Sequence, residues 1–266
     1  MNVVLPPRVV AGDRVRLVSP ASYPSEEELA ESVRALESWG LVVEVGEHAL
    51  DRHGYLAGRD SDRLADLDDA YRDPGVRAVI ATRGGAGAYR IAGIHGFLAG
   101  ARSAASTRSL LMETEPAVLR RDQEALTAAV QVGGVATGTL VGGHLGTVAW
   151  SVGAGLPDLD GAILFMEAPR AVGLGHVDRQ LTQLVRSGSL RGLRGVALGR
   201  FPGFEDYVDR EWTVLDVLRD RLEPLGVPVL GGIDVGHGDH PLSIALGPMA
   251  ELDADAGTLT VGPAVR

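Results

Sequence analysis

The sequence contains no cysteine, which excludes disulfides, thiolate metal sites and a cysteine nucleophile. It has no excess of positive charge: 35 acidic against 25 basic residues give a net charge of -10. That balance argues against nucleic acid or an anionic membrane surface as the main partner. No run approaches the roughly 18 apolar residues of a membrane span, and Met1 to Arg8 lacks the apolar core of a signal peptide. A soluble, cytoplasmic protein with no membrane partner is the expectation. The histidines show no metal-ligand spacing such as His-x-x-x-His, so neither a metal nor a cofactor is expected. Internal repeats and low-complexity tracts are also missing.

What is present is ample apolar material, 45% of 266 residues, enough for one large domain or two modest ones at about 100–200 residues each. Val15 to Pro20 predicts a first strand. Ser25 followed by Glu28 is a capping-box pattern, and Leu29, Val33 and Leu36 then recur at helical spacing up to Gly40. Leu41 to Val45 predicts a second strand, and Ser61 to Tyr71 a helix with Leu64, Leu67 and Tyr71 on its apolar face. Ala78 to Thr82 reads as a buried strand that breaks into Arg83-Gly84-Gly85-Ala86-Gly87. Alternating strands and helices imply a parallel sheet, hence an α/β fold class.

The second half has another texture. Leu111 to Arg121 reads as extended, and the glycine-rich stretch 133–143 as closely packed strands of a second, mixed α/β domain. Ala162 to Met166 predicts a buried strand, and Val177 to Val185 a helix with Leu181, Leu184 and Val185 inward. Val196 to Phe201, Val227 to Leu230, Leu242 to Leu246 and Leu259 to Val261 supply further strands. The expected division is an N-terminal domain over 1–118, a linker over 119–132 and a C-terminal domain over 133–266.

Three places suggest chemistry. The Gly84-Gly85 loop follows a strand, where open α/β sheets place binding crevices, and its backbone donors could hold an anion or an oxyanion; the plain alternative is a tight turn. It is not a P-loop, since no Gly-Lys-Ser/Thr follows. Glu167 ends a run of five apolar residues, so its carboxylate is either solvated at a strand end or paired. His237 lies between glycines in Val235-Gly236-His237-Gly238; it is either a surface-loop histidine or an imidazole held by a carboxylate, the orienter–base pair of a serine hydrolase. The nucleophile is what is lacking. No Gly-x-Ser-x-Gly elbow occurs, and Ser103, Ser106 and Ser109 lie in a polar stretch that reads as loop or helix surface.

These segments, in order along nearly the whole chain, resemble the LD-carboxypeptidase family of serine peptidases, which also includes microcin-immunity hydrolases. The motifs are Gly12-Asp13-Arg14-Val15, Gly54-Tyr55-Leu56-Ala57-Gly58, Arg83-Gly84-Gly85, Leu140-Val141-Gly142-Gly143, Ile163-Leu164-Phe165-Met166-Glu167, Asp178-Arg179-Gln180-Leu181-Thr182-Gln183-Leu184 and Gly236-His237-Gly238. The resemblance implies a Ser-His-Glu triad with Glu167 and His237 as two of its members, and Arg83, Gly84 and Gly85 as the oxyanion and substrate-binding loop. It implies an N-terminal α/β domain and a C-terminal mixed domain with the site between them. The implied substrate is a small peptide, such as an L,D-linked murein tetrapeptide cut before its terminal D-alanine, or a microcin-type conjugate. It also implies a homodimer.

The sequence departs from the family at two points. After Ala92 the strand, elbow and helix that carry the serine are missing, on the order of 30 residues for one such unit. Three accounts are open: a stretch omitted from the sequence as read, a true deletion leaving an inactive binder, or a substitute serine such as Ser103 or Ser106. Loss of a central strand would leave its neighbours about 10 Å apart with unpaired backbone groups, which favours the first. The second departure is His144, where the family generally has asparagine after the paired glycines.

Overall fold

The structure, a computed structural model, describes residues 5–85, 87–91, 104–171, 173–238 and 241–266. The chain forms two units, Pro7–Met112 and Glu113–Arg266, the latter joined by the residues up to Pro6. Among the described residues no helix is long and apolar enough to cross a membrane.

The N-terminal unit contains β1 (Arg14–Val18), α1 (Glu26–Ser38), β2 (Val42–Val45), α2 (Asp60–Arg72), β3 (Val76–Ala81) and α3 (Ala104–Met112). Its sheet is parallel in the order β2-β1-β3. The predicted capping box starts α1: the Glu28 amide donates to Ser25 Oγ at 3.1 Å, and the Ser25 amide to the Glu28 carboxylate at 2.7 Å. One face of β1 gives Val15 and Leu17 to a core shared with Leu29 and Leu36 of α1 and with Leu41. The other face carries Arg14 and Arg16, both ion-paired to Glu44 and Asp73.

Two expectations for this unit need correcting. Helix α2 buries Arg63, Asp66 and Ala70 rather than the predicted apolar stripe, and Leu64 and Tyr71 are exposed. The reason is local. The Arg63 guanidinium donates to the carbonyls of Pro20 and Gly87, and the Asp66 carboxylate accepts the His48 amide at 3.0 Å. The strand expected as buried is only half-buried, because β3 pairs with β1 on one side and is the edge of the sheet among the described residues. A unit missing beyond it would therefore bare an edge rather than open a hole between two strands. The junction at Ala92 and Gly93 lies outside the described residues.

The C-terminal unit contains β4 (Ala117–Arg120), β5 (Gln131–Val132), β6 (Val135–His144), α4 (Leu145–Trp150), β7 (Ala162–Glu167), α5 (Leu174–Arg186), β8 (Gly195–Leu198), α6 (Val214–Leu222), β9 (Val229–Leu230), β10 (Met249–Asp253) and β11 (Thr258–Val261). They form one sheet in the order β4-β11-β10-β6-β7-β8-β9-β5. Strands β6 to β9 run parallel, and the flanking pairs are antiparallel. All six residues of β7 are buried. The core includes Leu164 and Met166 with Leu181 and Leu184 of α5 and Leu218 and Leu222 of α6. Val185, expected inward, is exposed.

The glycines of β6 have a packing reason: a Cβ at Gly138 would run into the Gly161 carbonyl just ahead of β7, and one at Gly142 into the β7 backbone at Phe165. Both ends of the segment 119–132, expected as a linker, belong to this sheet instead, through β4 on β11 and β5 on β9. These strands are too short for alternation to reveal, and their partners lie far along the chain. Leu242 to Leu246 is not a strand; only a single bridge joins Leu242 to Val235. Pro241 before it and Gly247-Pro248 after it leave little backbone for a ladder.

Candidate active site

The carboxyl ends of parallel strands β6 to β9 are where an α/β sheet presents its ligand crevice. Glu167 is the last residue of β7, directly beside His144, the last residue of β6. After β9 the chain returns across these ends: the Arg200 amide donates to the Val235 carbonyl at 2.9 Å, and Gly199, with no side chain, lies against both Val235 and the Glu167 stem. This places the 235–238 loop over the end of β7. The Glu167 carboxylate, 7% exposed, lies 2.6 Å from His237 Nδ1, while the imidazole is 48% exposed. The same carboxylate oxygen accepts the His237 amide at 3.2 Å. Two donors thus compensate a buried charge that would be expensive alone. Because a carboxylate only accepts, Nδ1 carries the proton and Nε2 is the basic nitrogen.

His144 fits its position for a plain reason. It caps α4, its Nδ1 accepting the Thr147 amide at 3.3 Å, and asparagine is among the strongest residues for that task. Its ring stands edge-on to that of His237, 5.9 Å between centroids. Burial holds its pKa below the ordinary histidine value; the Glu167 charge opposes this, while His237 and His176 reinforce it. Sequence reasoning marked His144 as a departure from the family but gave it no role; the three-residue step to Thr147 was the available signal.

Beside His237 lies a cavity of about 410 Å³ whose wall includes Thr127, Arg200, Phe201, Glu205 and Asp234. Arg200 donates to Asp234 at 2.8 Å and to Asp122 at 2.9 Å. None of these residues stood out in the sequence as a site, because they come from three separate segments.

Arg83, Gly84 and Gly85 belong to the N-terminal unit. All three are exposed. Arg83 is 3.5 Å from the Glu28 carboxylate. Gly85 has φ +129°, a conformation that favours glycine, with open space where a side chain would stand. The loop is anchored behind: Ser19 and Thr82 hydroxyls are 2.6 Å apart, and Arg63 holds the Gly87 carbonyl. Ser103 lies outside the described residues, and Ser106 sits within α3 rather than at a strand-to-helix elbow. Among the described residues one group could offer three metal ligands, His48, Asp51 and Asp62. Its atoms already serve the local turns: Asp51 binds the His48 ring at 2.8 Å and Asp62 accepts the Arg59 amide at 3.0 Å.

The chain is similar to known proteins along almost its full length. A Streptomyces coelicolor protein that is named as a carboxypeptidase is 35% identical over 310 aligned positions, covering 98% of this chain and 96% of the relative. The murein tetrapeptide carboxypeptidase of Pseudomonas aeruginosa is 27% identical over 295 positions, covering 91% and 94%. Both alignments are longer than the 266-residue chain, so these relatives carry segments that it lacks. Among solved structures, an MccF-like protein from Bacillus anthracis superposes with TM-score 0.82 at 18% identity, covering 98% of this chain and all of that one. A muramoyltetrapeptide carboxypeptidase from Oxalobacter formigenes gives 0.75 at 23%, covering 95% and 100%. These two confirm the α/β fold. Residues 15–96 match the LD-carboxypeptidase N-terminal domain and residues 137–252 the LD-carboxypeptidase C-terminal domain, so the chain belongs to the LD-carboxypeptidase family.

Proposed function

We propose that this protein is a serine-type hydrolase that cleaves an amide bond in a small peptide, as an L,D-linked murein tetrapeptide would offer before its terminal D-alanine. The observation that carries this reading is the buried Glu167 carboxylate 2.6 Å from His237 Nδ1. Glu167 fixes the tautomer and stabilises the imidazolium that forms when Nε2 takes a proton from an attacking hydroxyl; His237 then returns that proton to the leaving amine. The backbone donors of Arg83, Gly84 and Gly85 are assigned to the oxyanion. The reading needs a hydroxyl that Nε2 can reach, and the elbow that would supply it is missing from the sequence. The murein relatives support the peptide class; MccF-like immunity proteins among the fold neighbours leave a peptidyl conjugate as the other substrate. The same reading makes the protein a cytoplasmic homodimer without cofactor or metal.

The experiment is release of D-alanine from the tetrapeptide, paired with fluorophosphonate labelling and peptide mapping to locate the activated serine. Turnover with a labelled serine supports the hydrolase. A second reading, a relative that binds a peptide without cleaving it, is favoured by one observation: the curated relatives align over more positions than this chain possesses. Peptide binding with neither turnover nor label establishes it and overturns the hydrolase.

A further inference from the structure

We propose that Arg63 is a positioning residue: its buried guanidinium fixes the glycine loop after β3 against the turn after β1, and so sets where the amides of Arg83, Gly84 and Gly85 stand. This deepens the hydrolase reading, on whose oxyanion assignment it rests. Arg63 is 1% exposed and the bulkiest of the fully buried side chains. A charge so placed is costly, and an apolar side chain of like volume generally serves stability as well or better. Nor is the group fully satisfied, since its Nε has no hydrogen-bond partner among the described residues. What an apolar residue could not do is done by the two Nη atoms. Nη1 donates to the Pro20 carbonyl, two residues past β1, and to the Gly87 carbonyl at 3.0 Å. Nη2 donates to Asp60, whose carboxylate also accepts from Arg90 Nη2 at 2.9 Å. The loop is thereby pinned at both ends. At its start the Thr82 amide donates to the Val18 carbonyl at 2.8 Å; at its end Arg63 holds Gly87. Gly87 has φ +106° and no room for a side chain, since a Cβ would strike Leu56 Cδ2 and come within 3.5 Å of Arg63 Nη1. In a trans peptide the carbonyl and the next amide point opposite ways. Drawing the Gly87 carbonyl onto the guanidinium therefore turns the Ala88 amide away from it and fixes the direction in which the chain leaves the loop. Donors held in place before the reaction are what oxyanion stabilisation requires.

The test pairs Arg63→Met, which fills similar space without charge or donors, with Arg63→Lys, which restores a charged donor on a shorter stem. Amide hydrogen exchange followed by NMR reads the loop independently of catalysis. The Arg90 amide donates to the Gly87 carbonyl at 3.1 Å and the Ile91 amide to the Ala88 carbonyl at 3.2 Å. In Arg63→Met both should exchange about fivefold faster, the net worth of one hydrogen bond, while the amides of β1 keep their rates. With the tetrapeptide as substrate, kcat should fall about 10²-fold, the scale of a 1 Å misplacement, and KM should stay near its original value. Arg63→Lys should recover part of both losses. A merely structural arginine would instead speed exchange throughout β1 and α1 and leave the kcat of the folded protein unchanged, and that result overturns the proposal. Unaltered exchange at Arg90 and Ile91 with unaltered kcat in Arg63→Met overturns it as well. Should Arg63→Met fail to fold, Arg63→Lys decides: faster exchange at those two amides with reduced kcat supports the proposal, and unaltered values refute it. Absence of turnover in the unsubstituted protein overturns the hydrolase reading instead, and the exchange rates still decide whether Arg63 holds the loop.

Discussion

Replacing Gly236 with alanine should destabilise the protein by about 2–5 kcal/mol, whereas the same change at Gly238 should be close to neutral. Gly236 has φ +111°, and a Cβ there would lie 2.6 Å from Glu167 Cγ and 2.8 Å from its Oε2. The backbone conformation alone costs an L-residue about 1–2 kcal/mol. Forcing a methyl group against a buried, hydrogen-bonded carboxylate adds about 1–3 kcal/mol as overpacking. At Gly238 a Cβ meets nothing within 4 Å, so alanine changes stability by about 0.5–1 kcal/mol either way. Urea denaturation measures both. The imidazole proton on His237 Nδ1, followed by NMR, reports whether the contact with Glu167 survives. If strain is relieved by moving the loop, Gly236→Ala should lose less stability but also lose the hydrogen-bonded proton signal. Equal stability losses at the two glycines, or a Gly236→Ala protein with wild-type stability and an unchanged His237 signal, would refute the packing of this loop on Glu167.

Glu167→Gln keeps an oxygen able to accept the Nδ1 proton but removes the charge, so amide hydrolysis should fall about 10⁴-fold, by the measure of a serine protease triad, with little change in fold; retained turnover would remove Glu167 from the mechanism. His144→Asn should flatten the pH dependence of stability. Burial holds the His144 pKa down, so as pH falls below the ordinary value of about 6.5 the unfolded chain takes up a proton that the folded one resists, and stability is lost. Asparagine keeps the cap without titrating, so the stability difference between neutral and mildly acidic pH should be smaller in the variant; an unchanged difference would assign that proton elsewhere.

The elements that could be read from the sequence are those whose cause is local. The Ser25–Glu28 cap, the apolar run ending at Glu167 and the glycines around His237 each state their reason within a few residues. The catalytic candidates belong to this class, because a carboxylate after a buried strand and a histidine between glycines are odd enough to notice. Strands β4 and β5 were hidden because their partners, β11 and β9, lie far along the chain. The buried face of α2 was hidden for a different reason: its residues are Arg63 and Asp66, polar groups whose burial depends on carbonyls and amides from other loops. Likewise Arg200 and its two carboxylates are ordinary surface residues in sequence and become a pocket wall only in three dimensions.

The missing strand, elbow and helix take on another meaning once β3 is seen as a sheet edge. A strand removed from the middle of a sheet leaves two rows of unpaired amides and carbonyls facing one another across about 10 Å. An edge strand can be removed with a smaller penalty, because the newly bared row faces outward where water can satisfy it. β3 is half-buried and, among the described residues, is the edge of its sheet. The energetic objection to a true deletion is therefore weaker than the sequence suggested. Among the described residues, β7, its neighbours and the 235–238 loop hold the Glu167–His237 contact among themselves. A chain that loses such an edge unit can keep the Glu167–His237 contact intact.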